Sequence, residues 1–254
     1  NEDAESYYFV GKDNVPFHAI IWPAMLLAYG DLNLPTNVPA NQYILIKGEK
    51  ASASRGVGKT LNDYLDEWNP DSLRYALASI LPEQNDSEIS EDEMIRRNNE
   101  ELVAAWGNLV QRVFSQYINN FENLKFDFEL NDVDRKIIDE ANVCFEKTSE
   151  LIEKVELKSS LQSVMGYVNK INAYLNETEP WKVIKEDITR ATAILYTSLT
   201  AIEACASLFT PFMPTTSEIV KNAIEKNTNN NWSVNDIKKG APLQDIGHLF
   251  KKFD

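Results

Sequence analysis

Residues 8–18 read Tyr-Phe-Val-Gly-Lys-Asp-Asn-Val-Pro-Phe-His, and the segment continues through Trp22-Pro23-Ala24. An apolar strand that ends in Gly-Lys-Asp and opens into a helix is typical of nucleotide sites, because the turn and the helix N-terminus present backbone N–H groups to an anion. Further along, residues 48–56 read Gly-Glu-Lys-Ala-Ser-Ala-Ser-Arg-Gly. Such a loop can close over phosphates with positive charge and N–H donors, although a polar surface loop can have the same composition. Together the two stretches predict adenylate chemistry.

Around these stretches, the first region of the sequence alternates strand, loop and helix. The predicted elements are a short buried strand over 6–10, a helix over 16–29 bent at Pro23, a second strand over 42–47, and helices over 61–67 and 72–81. Pro16 suits the first turn of its helix, and Thr60 can cap the helix that follows it. Alternation of this kind predicts an α/β fold.

The second region begins after the polar, acidic stretch 82–90, which we interpret as a domain boundary, and all its strong patterns are helical. Apolar residues recur there at spacings of three and four, as in the series Leu157, Leu161, Val164, Val168, Ile171 and Leu175. The predicted helices cover 91–118, 132–155, 157–175, 188–209 and a shorter segment after Pro214. They predict an antiparallel helix bundle, so the chain should be mainly α overall.

Composition limits the classes of function. With 254 residues the chain can bury one large core or two smaller ones, and 43% apolar residues indicate a folded protein. A formal net charge of −14 excludes nucleic-acid binding through bulk charge. Any contact with RNA must therefore be made at a local basic or aromatic site.

Cellular context is predicted from the cysteines and from the apolar runs. Cys144 and Cys205 lie inside helical apolar patterns, which predicts core thiols with no disulfide partner and no metal site. We expect no apolar run long enough to cross a bilayer and no signal peptide, and hence a cytoplasmic protein with no membrane partner. Because Asn1 stands only a few residues before a strand, we expect the chain to be a piece of a longer polypeptide.

Three side chains of the first region could carry function. Asp13 stands between a strand and a helix N-terminus, where a carboxylate can bind ribose hydroxyls, although a turn-forming aspartate is favoured without further context. His18 and Trp22 are four residues apart on one helix face. They could line an apolar pocket with one polar contact, but packing in the core is the favoured alternative.

Three side chains of the helical region could read RNA. Asn108 and Arg112 are four residues apart, and an amide and a guanidinium are good readers of exposed base edges. Trp181 follows Pro180 at the polar start of a helix, which suits stacking on an unpaired base. Alternatively, Trp181 caps the bundle and Arg112 pairs with a nearby acid, and the residues alone leave both interpretations open.

These motifs together resemble one family. The motifs are residues 8–18 with Trp-Pro-Ala, residues 48–56, Arg97-x-Asn99-x-Glu101-Leu102, Gly107-Asn108-Leu109-Val110-x-Arg112 and the closing Gly247-x-Leu249-Phe250-x-Lys252. Over nearly the whole chain they resemble the C-terminal half of the methionyl-tRNA synthetases, which are class I aminoacyl-tRNA synthetases. Residues 48–56 resemble the loop of that family known as KMSKS.

The resemblance implies an architecture, substrates and residue roles. Residues 1–46 would be the C-terminal part of a Rossmann-type catalytic domain, 47–88 the loop and a stem-contact connector, and 89–254 the α-helical anticodon-binding domain. The family activates methionine with ATP and Mg, and charges tRNA(Met), whose anticodon is CAU. The implied contacts are Gly11, Lys12, Asp13 and Asn14 with ATP or the adenylate, His18 and Trp22 with methionine, Lys50, Ser52 and Ser54 in catalysis, and Asn108, Arg112 and Trp181 with the anticodon.

The sequence departs from the family pattern in two ways. Ala51 and Ala53 stand where the loop has methionine and its second lysine, and losing one such electrostatic contact typically costs on the order of 3 kcal/mol. The family's upstream HIGH motif is also missing, so we predict no aminoacylation by this chain alone. The alternatives are a leucine, isoleucine or valine synthetase relative, against which Trp22 and its neighbours argue, and a non-catalytic RNA-binding or interaction module.

Overall fold

The computed structural model of the protein describes residues 4–50, 56, 58–227 and 232–253. Within these ranges the chain divides into two compact units. The N-terminal unit takes in the residues up to Tyr64 and the segment Ile80–Glu91. The helical unit takes in Leu65–Ser79 and the residues from Asp92 onward.

The N-terminal unit has mixed α/β structure. Its strands are β1 (Val10–Gly11), β2 (Ala40–Asn41), β3 (Ile44–Ile46), β4 (Glu49–Lys50) and β5 (Ser87–Glu88), and its main helix is α1 (Trp22–Tyr29). β1 pairs in parallel with β2, and the helical segment between them forms the crossover that a parallel pair requires. β3 lies between β4, which is antiparallel to it, and β5, which is parallel to it.

A tight turn joins β3 to β4. Lys47 and Gly48 both have positive φ, 52° and 77°, as the central residues of a type I′ hairpin turn require. Glycine adopts this conformation without strain, and Lys47 tolerates it because the turn's twist matches that of the flanking strands. The turn places Lys50, at the end of β4, opposite Leu45 of β3.

The helical unit is an α-helical bundle, as the sequence predicts. Its helices are α3 (Pro70–Ser79), α5 (Asn108–Asn120), α6 (Asp132–Glu153), α7 (Leu157–Thr178), α8 (Pro180–Val183), α9 (Ile188–Phe209) and α10 (Pro214–Ala223). Two helices, α2 (Leu61–Glu67) and α4 (Glu91–Arg97), cross the unit boundaries, and a π-helical segment, Asn98–Gly107, joins α4 to α5. The start of α6 is fixed by a reciprocal capping box between Asn131 and Asp134.

Helix α9 is the central element of the bundle. It packs against α5, α6, α7 and α10, and nearly all of its side chains are buried. Its bounds agree with the prediction. The expectation that no apolar run could cross a bilayer is wrong, because the length and composition of α9 would allow it to do so. α9 has 22 residues and contains an 18-residue window with a mean hydropathy of 1.4, yet that window is wholly buried within the protein. It is therefore long and apolar enough for a membrane span, but it is used here as a core helix.

Both cysteines occupy the core, as predicted. Cys144 on α6 is 6% exposed, and Cys205 on α9 is fully buried. Each is a free thiol. Burial raises the pKa of both thiols, which keeps them protonated and unreactive at neutral pH.

Three sequence interpretations differ from the structure. The strand predicted over 6–10 is partly exposed, and its ladder is confined to an isolated bridge at Tyr7 and to β1. The acidic stretch 82–90 is not a simple boundary, because β5 within it pairs with β3 and Gln42 donates to the Pro82 carbonyl. Helix α3, which the resemblance placed in a connector, packs with the helical unit. Each difference arises from pairing between distant segments, which a local pattern does not report.

Candidate functional site

The turn after β1 holds Asp13 at the centre of a polar cluster. Asp13 accepts hydrogen bonds from the Tyr43 hydroxyl and from Lys50 Nζ, the latter at 3.1 Å. Lys50 Nζ also lies 3.7 Å from the centroid of the Tyr43 ring, within cation–π range. The Asp13 and Lys50 side chains are 60% and 48% exposed. A carboxylate and an ammonium group thus meet where an entering ligand can reach both.

Lys12 and Asp86 complete this polar cluster. Lys12 Nζ lies 2.7 Å from Asp86 Oδ1 and 3.8 Å from the Tyr43 ring centroid. The same Asp86 oxygen accepts the backbone N–H of Tyr43 at 2.8 Å. Asp86 therefore positions Lys12 and the start of β3 together. We call Lys12, Asp13, Tyr43, Lys50 and Asp86 the polar cluster.

The charges of the polar cluster stabilise one another. The hydrogen bond from Tyr43, followed by the one from Lys50, lowers the pKa of Asp13. The hydrogen bond to Asp13 raises the pKa of Lys50, and the bond from Lys12 lowers the pKa of Asp86. At neutral pH the Asp13 and Asp86 carboxylates and the Lys50 ammonium group are consequently ionised. Such a set can bind hydroxyl groups through Asp13 and phosphate oxygens through the lysines.

Three aromatic rings, which we call the aromatic group, lie on either side of the turn that carries Asp13, with Tyr8 before it and His18 and Trp22 after it along the chain. The His18 and Trp22 rings are 6.3 Å apart, and Tyr8 packs edge-on against Trp22 at 4.7 Å. His18 lies in a π-helical turn, Phe17–Ile21, and its Nδ1 is 3.0 Å from the Asn14 carbonyl. Neither His18 nor Trp22 is buried, so the two rings do not form a closed core. They form an accessible aromatic surface with one polar edge.

Two further predicted residues have backbone roles in this region. Gly11 ends β1, and a Cβ built on it would meet no atom within 4 Å. The space beside the backbone at this position is therefore open. Asn14 ends the 3₁₀ turn Lys12–Asn14 that carries Asp13. Its carbonyl connects this turn to the His18 ring.

Of the predicted phosphate loop, residues 48–56, the structure describes 48–50 and 56. Lys50 belongs to the polar cluster, whereas Ser52, Ser54 and the alanines Ala51 and Ala53 lie outside the described residues. Among the described residues, no group of three or more His, Cys, Asp or Glu side chains is placed to hold a metal ion.

In the helical unit, the structure brings Arg112 and Trp181 together. Arg112 on α5 places its guanidinium carbon 5.2 Å from the Trp181 ring centroid. Arg112 Nη2 donates to Asn176 Oδ1 at 3.2 Å. Asn108 is exposed one turn before Arg112 on the same helix. The result is a partly exposed aromatic ring and guanidinium bordered by two amides, which can stack on a base and hydrogen-bond to its edge.

Sequence reasoning missed four residues of these sites. Tyr43 and Asp86 were assigned to a strand and to a boundary, and Tyr8 and Asn176 received no role. A polar aromatic residue within the predicted strand 42–47 was the available signal for Tyr43. No local signal marks Asp86, because its partners Lys12 and Tyr43 are distant along the chain.

Comparison with known proteins gives the family. The family model described as "tRNA synthetases class I (M)" matches residues 1–114. The model described as "Anticodon binding domain of methionyl tRNA ligase" matches residues 127–254. A methionine–tRNA ligase of Roseiflexus castenholzii is 42% identical over 85% of this chain, and one of Corynebacterium glutamicum is 36% identical over 96% of it. The chain spans 36% and 43% of the length of these two relatives.

Solved structures show the same fold. The methionyl-tRNA synthetase of Mycobacterium tuberculosis in its free state superposes with a TM-score of 0.85 at 22% identity, covering 98% of this chain and 50% of that one. Its complex with methionyl-adenylate gives a TM-score of 0.86 at 24% identity, covering 96% and 50%.

The fold and the matched models define part of a class I aminoacyl-tRNA synthetase, with an α/β portion followed by an anticodon-binding helix bundle. This confirms the predicted fold class. The chain belongs to the methionyl-tRNA synthetase family. The resemblance drawn from the motifs is thereby confirmed, and the comparisons give no support to a leucine, isoleucine or valine synthetase.

Proposed function

We propose that the protein to which this chain belongs is a methionine–tRNA ligase that acts in the cytoplasm. It joins methionine to the α-phosphate of ATP, releases pyrophosphate, and transfers the methionyl group to tRNA(Met). Membership of the family supports this activity. For this chain, the observation that carries the proposal is the placement of the Arg112 guanidinium over the partly exposed Trp181 ring, which supports a role in reading the tRNA.

The polar cluster would hold the nucleotide. Asp13 would accept the ribose hydroxyls, and Lys12 and Lys50 would face the phosphates, with Mg accompanying ATP as part of the substrate. In the free protein Lys50 is paired with Asp13, so ribose binding to Asp13 would free Lys50 for the developing charge on pyrophosphate. Electrostatic stabilisation of a leaving group is commonly the largest single catalytic effect.

The aromatic group would hold methionine. Thioether sulfur makes favourable contacts with aromatic rings, about 0.3–1.5 kcal/mol each. The rings of Tyr8, His18 and Trp22 supply such surfaces, and their exposure leaves them accessible to a small side chain. We therefore add Tyr8 to the proposed methionine contacts.

The chain by itself would bind RNA without catalysing aminoacylation. It spans less than half the length of the two methionine–tRNA ligases compared above. Ala53 also stands in place of the loop's second lysine. The neighbouring Ser52 and Ser54 would assist Lys50. Restoring that lysine with Ala53→Lys in the longer protein tests the chemistry. A large gain in methionine-dependent pyrophosphate exchange would identify an impaired ligase. No gain would favour a module that binds RNA and has lost the chemistry.

The anticodon of tRNA(Met), CAU, would be read by Asn108, Arg112 and Trp181. Trp181 would stack on an unpaired base, the Arg112 fork would bind a base edge, and Asn108 would supply a second hydrogen-bonding group. Reading unstacked bases at one local site also explains how a chain with a net charge of −14 can bind RNA selectively.

A binding titration tests this anticodon role. The chain is titrated with an RNA hairpin that carries a CAU loop and with one that carries a permuted loop. Trp181→Ala should weaken CAU binding by about 1–3 kcal/mol, the usual contribution of one base–aromatic stack. Trp232→Ala is the matched control. Trp232 is also a tryptophan of the helical unit and is 44% exposed, but its partners are Phe145 and Ser149. Equal binding of both hairpins, unaffected by Trp181→Ala, would refute the anticodon role.

A further inference from the structure

Residues 179–187, which we call the α7–α9 connector, join α7 to α9 and carry Trp181. The backbone of this connector is strained at its first residue. Glu179, two residues before Trp181, has φ 42° and ψ 56°, the left-handed conformation. For a residue other than glycine this costs about 1–2 kcal/mol. Such conformations persist only where the surroundings hold them in place. Some part of the helical unit must therefore hold the connector at this residue.

One buried carboxylate holds both ends. Asp134, in the first turn of α6, is completely buried. It accepts the Tyr174 hydroxyl, from the end of α7, at 2.5 Å. It also accepts hydrogen bonds from Nη1 and Nη2 of Arg190, in the first turn of α9, at 2.5 and 2.9 Å. The helix that precedes the connector and the helix that follows it thus bind the same side chain.

The connection extends to the helix ends themselves. The Asn131 backbone N–H donates to Asp134 Oδ2 at 3.1 Å. Asp187, the last connector residue, accepts the Arg190 backbone N–H at 2.9 Å and so caps α9. The guanidinium bound by Asp134 and the N–H bound by Asp187 belong to the same residue. Displacing Arg190 would therefore move the C-terminal end of the connector.

Overall stability does not by itself account for this charged group. Replacing buried ion pairs by apolar side chains is often neutral or stabilising, whereas the hydrogen bonds of a bidentate pair fix geometry. The geometry fixed here is that of the segment that presents Trp181 to Arg112.

We propose that Asp134 and Arg190 are positioning residues for Trp181, holding the α7–α9 connector so that the indole ring lies over the Arg112 guanidinium. The role in RNA reading rests on the proposed function, whereas the position of the ring in the free protein does not.

The test compares Asp134→Asn with a matched buried carboxylate, Glu203→Gln. Glu203 on α9 is also fully buried and is bound by Lys226 and Asn235 at 3.1 Å. It lies fifteen residues after the start of α9, about 22 Å along the helix at the usual rise per residue. The chain is labelled with fluorotryptophan, and the Trp181 resonance is assigned by its loss in Trp181→Phe. ¹⁹F NMR of the free proteins and CAU-hairpin affinity are then measured.

We expect Asp134→Asn to shift the Trp181 resonance and to weaken hairpin binding about fivefold or more, as loss of a well-placed stack implies. Glu203→Gln should leave both unchanged, even where it lowers thermal stability. An unchanged resonance in Asp134→Asn, or an equal shift in Glu203→Gln, would overturn the proposal. If Asp134→Asn does not fold, Tyr174→Phe removes one donor while leaving the Arg190 pair, and the same comparison decides.

The two proposals fail separately. If Trp181→Ala does not affect hairpin binding, the anticodon role is wrong and the ¹⁹F resonance alone decides the positioning proposal. If Trp181→Ala weakens binding but Asp134→Asn leaves the Trp181 resonance and the affinity unchanged, the anticodon role stands and the positioning proposal is overturned.

Discussion

Replacing Asp71 with alanine should destabilise the helical unit by about 2–4 kcal/mol. Asp71 on α3 is 1% exposed, and its Oδ2 accepts the backbone N–H of Thr216 at 2.6 Å and the Thr216 hydroxyl at 2.8 Å. Thr216 is the third residue of α10, and the N-cap position of that helix, Met213, makes no side-chain cap. Asp71 therefore caps α10 from a helix far away in sequence.

The magnitude follows from the donors that Asp71→Ala leaves without this acceptor. A buried donor left unsatisfied costs about 1–3 kcal/mol. The Thr216 N–H would bear that cost in full. The Thr216 hydroxyl can turn toward the Met213 carbonyl, 3.5 Å away, and would bear only part of it. Loss of a carboxylate near a helix N-terminus adds about 0.3–1 kcal/mol.

Urea unfolding followed by far-UV circular dichroism measures this change. Asp71→Asn is the matched control, because its amide oxygen still accepts one hydrogen bond, and it should cost about 1 kcal/mol. Thr216→Val removes only the hydroxyl. Because the Thr216 hydroxyl is hydrogen-bonded to Asp71, the two changes are coupled. The double variant should therefore lose less stability than the sum of the two single losses.

Either of two results would refute this reasoning. One is a loss below about 1 kcal/mol in Asp71→Ala, which would show that α10 does not depend on the distant cap. The other is full additivity with Thr216→Val. Either result would also mean that α3 is attached to the bundle mainly by other contacts, such as those of Arg74 with the Phe212 and Pro211 carbonyls.

Two further predictions concern charge and backbone conformation. Glu93 should titrate with a pKa of about 2, because hydrogen bonds from Arg96 and then Arg97 outweigh its partial burial. Its stabilising effect is complete above its usual pKa and is lost as pH falls through about 2. NMR titration of the carboxyl group should show the pKa rising toward its ordinary value in Arg96→Ala, and an unchanged pKa would contradict this. Gly240→Ala should lower the free energy of unfolding by at least about 1–2 kcal/mol. Gly240 has φ +76°, and an added Cβ would lie 3.3 Å from Phe126. The matched control, Gly166→Ala in α7, has open space for its methyl group and should stabilise by about 0.4–1 kcal/mol. Similar losses in both variants would contradict the prediction.

The sequence predicted the helices well because their signals are local. Apolar spacing and terminal residues placed α9 at its observed bounds, and Thr60 caps α2 as expected through a reciprocal pair of bonds with Asp63. Repeats of three and four residues report one face of a helix directly. The motifs in residues 8–18 and 48–56 likewise pointed to the family, because the order and spacing of their residues can be read along the chain.

The sequence did not predict which segments meet. β5 and Asp86 looked like a boundary, and α3 looked like a connector, because the partners β3, Tyr43 and Thr216 are distant along the chain. The prediction that no apolar run could cross a bilayer failed for a related reason. The length and hydropathy of α9 do not distinguish a bilayer from the interior of a bundle.

For the candidate sites, the sequence alone determined the family. It also gave Asp13, Lys50, Arg112 and Trp181 as candidate site residues. Only the tertiary structure decided that Asp13 is paired with Lys50 in the free protein, that Arg112 lies over Trp181, and that Asp134 holds both ends of the connector. Periodicity and capping act over a few residues and are therefore visible in the order of the chain. Hydrogen bonds and ring contacts between distant segments depend on how the chain packs, and that packing is settled by the whole fold.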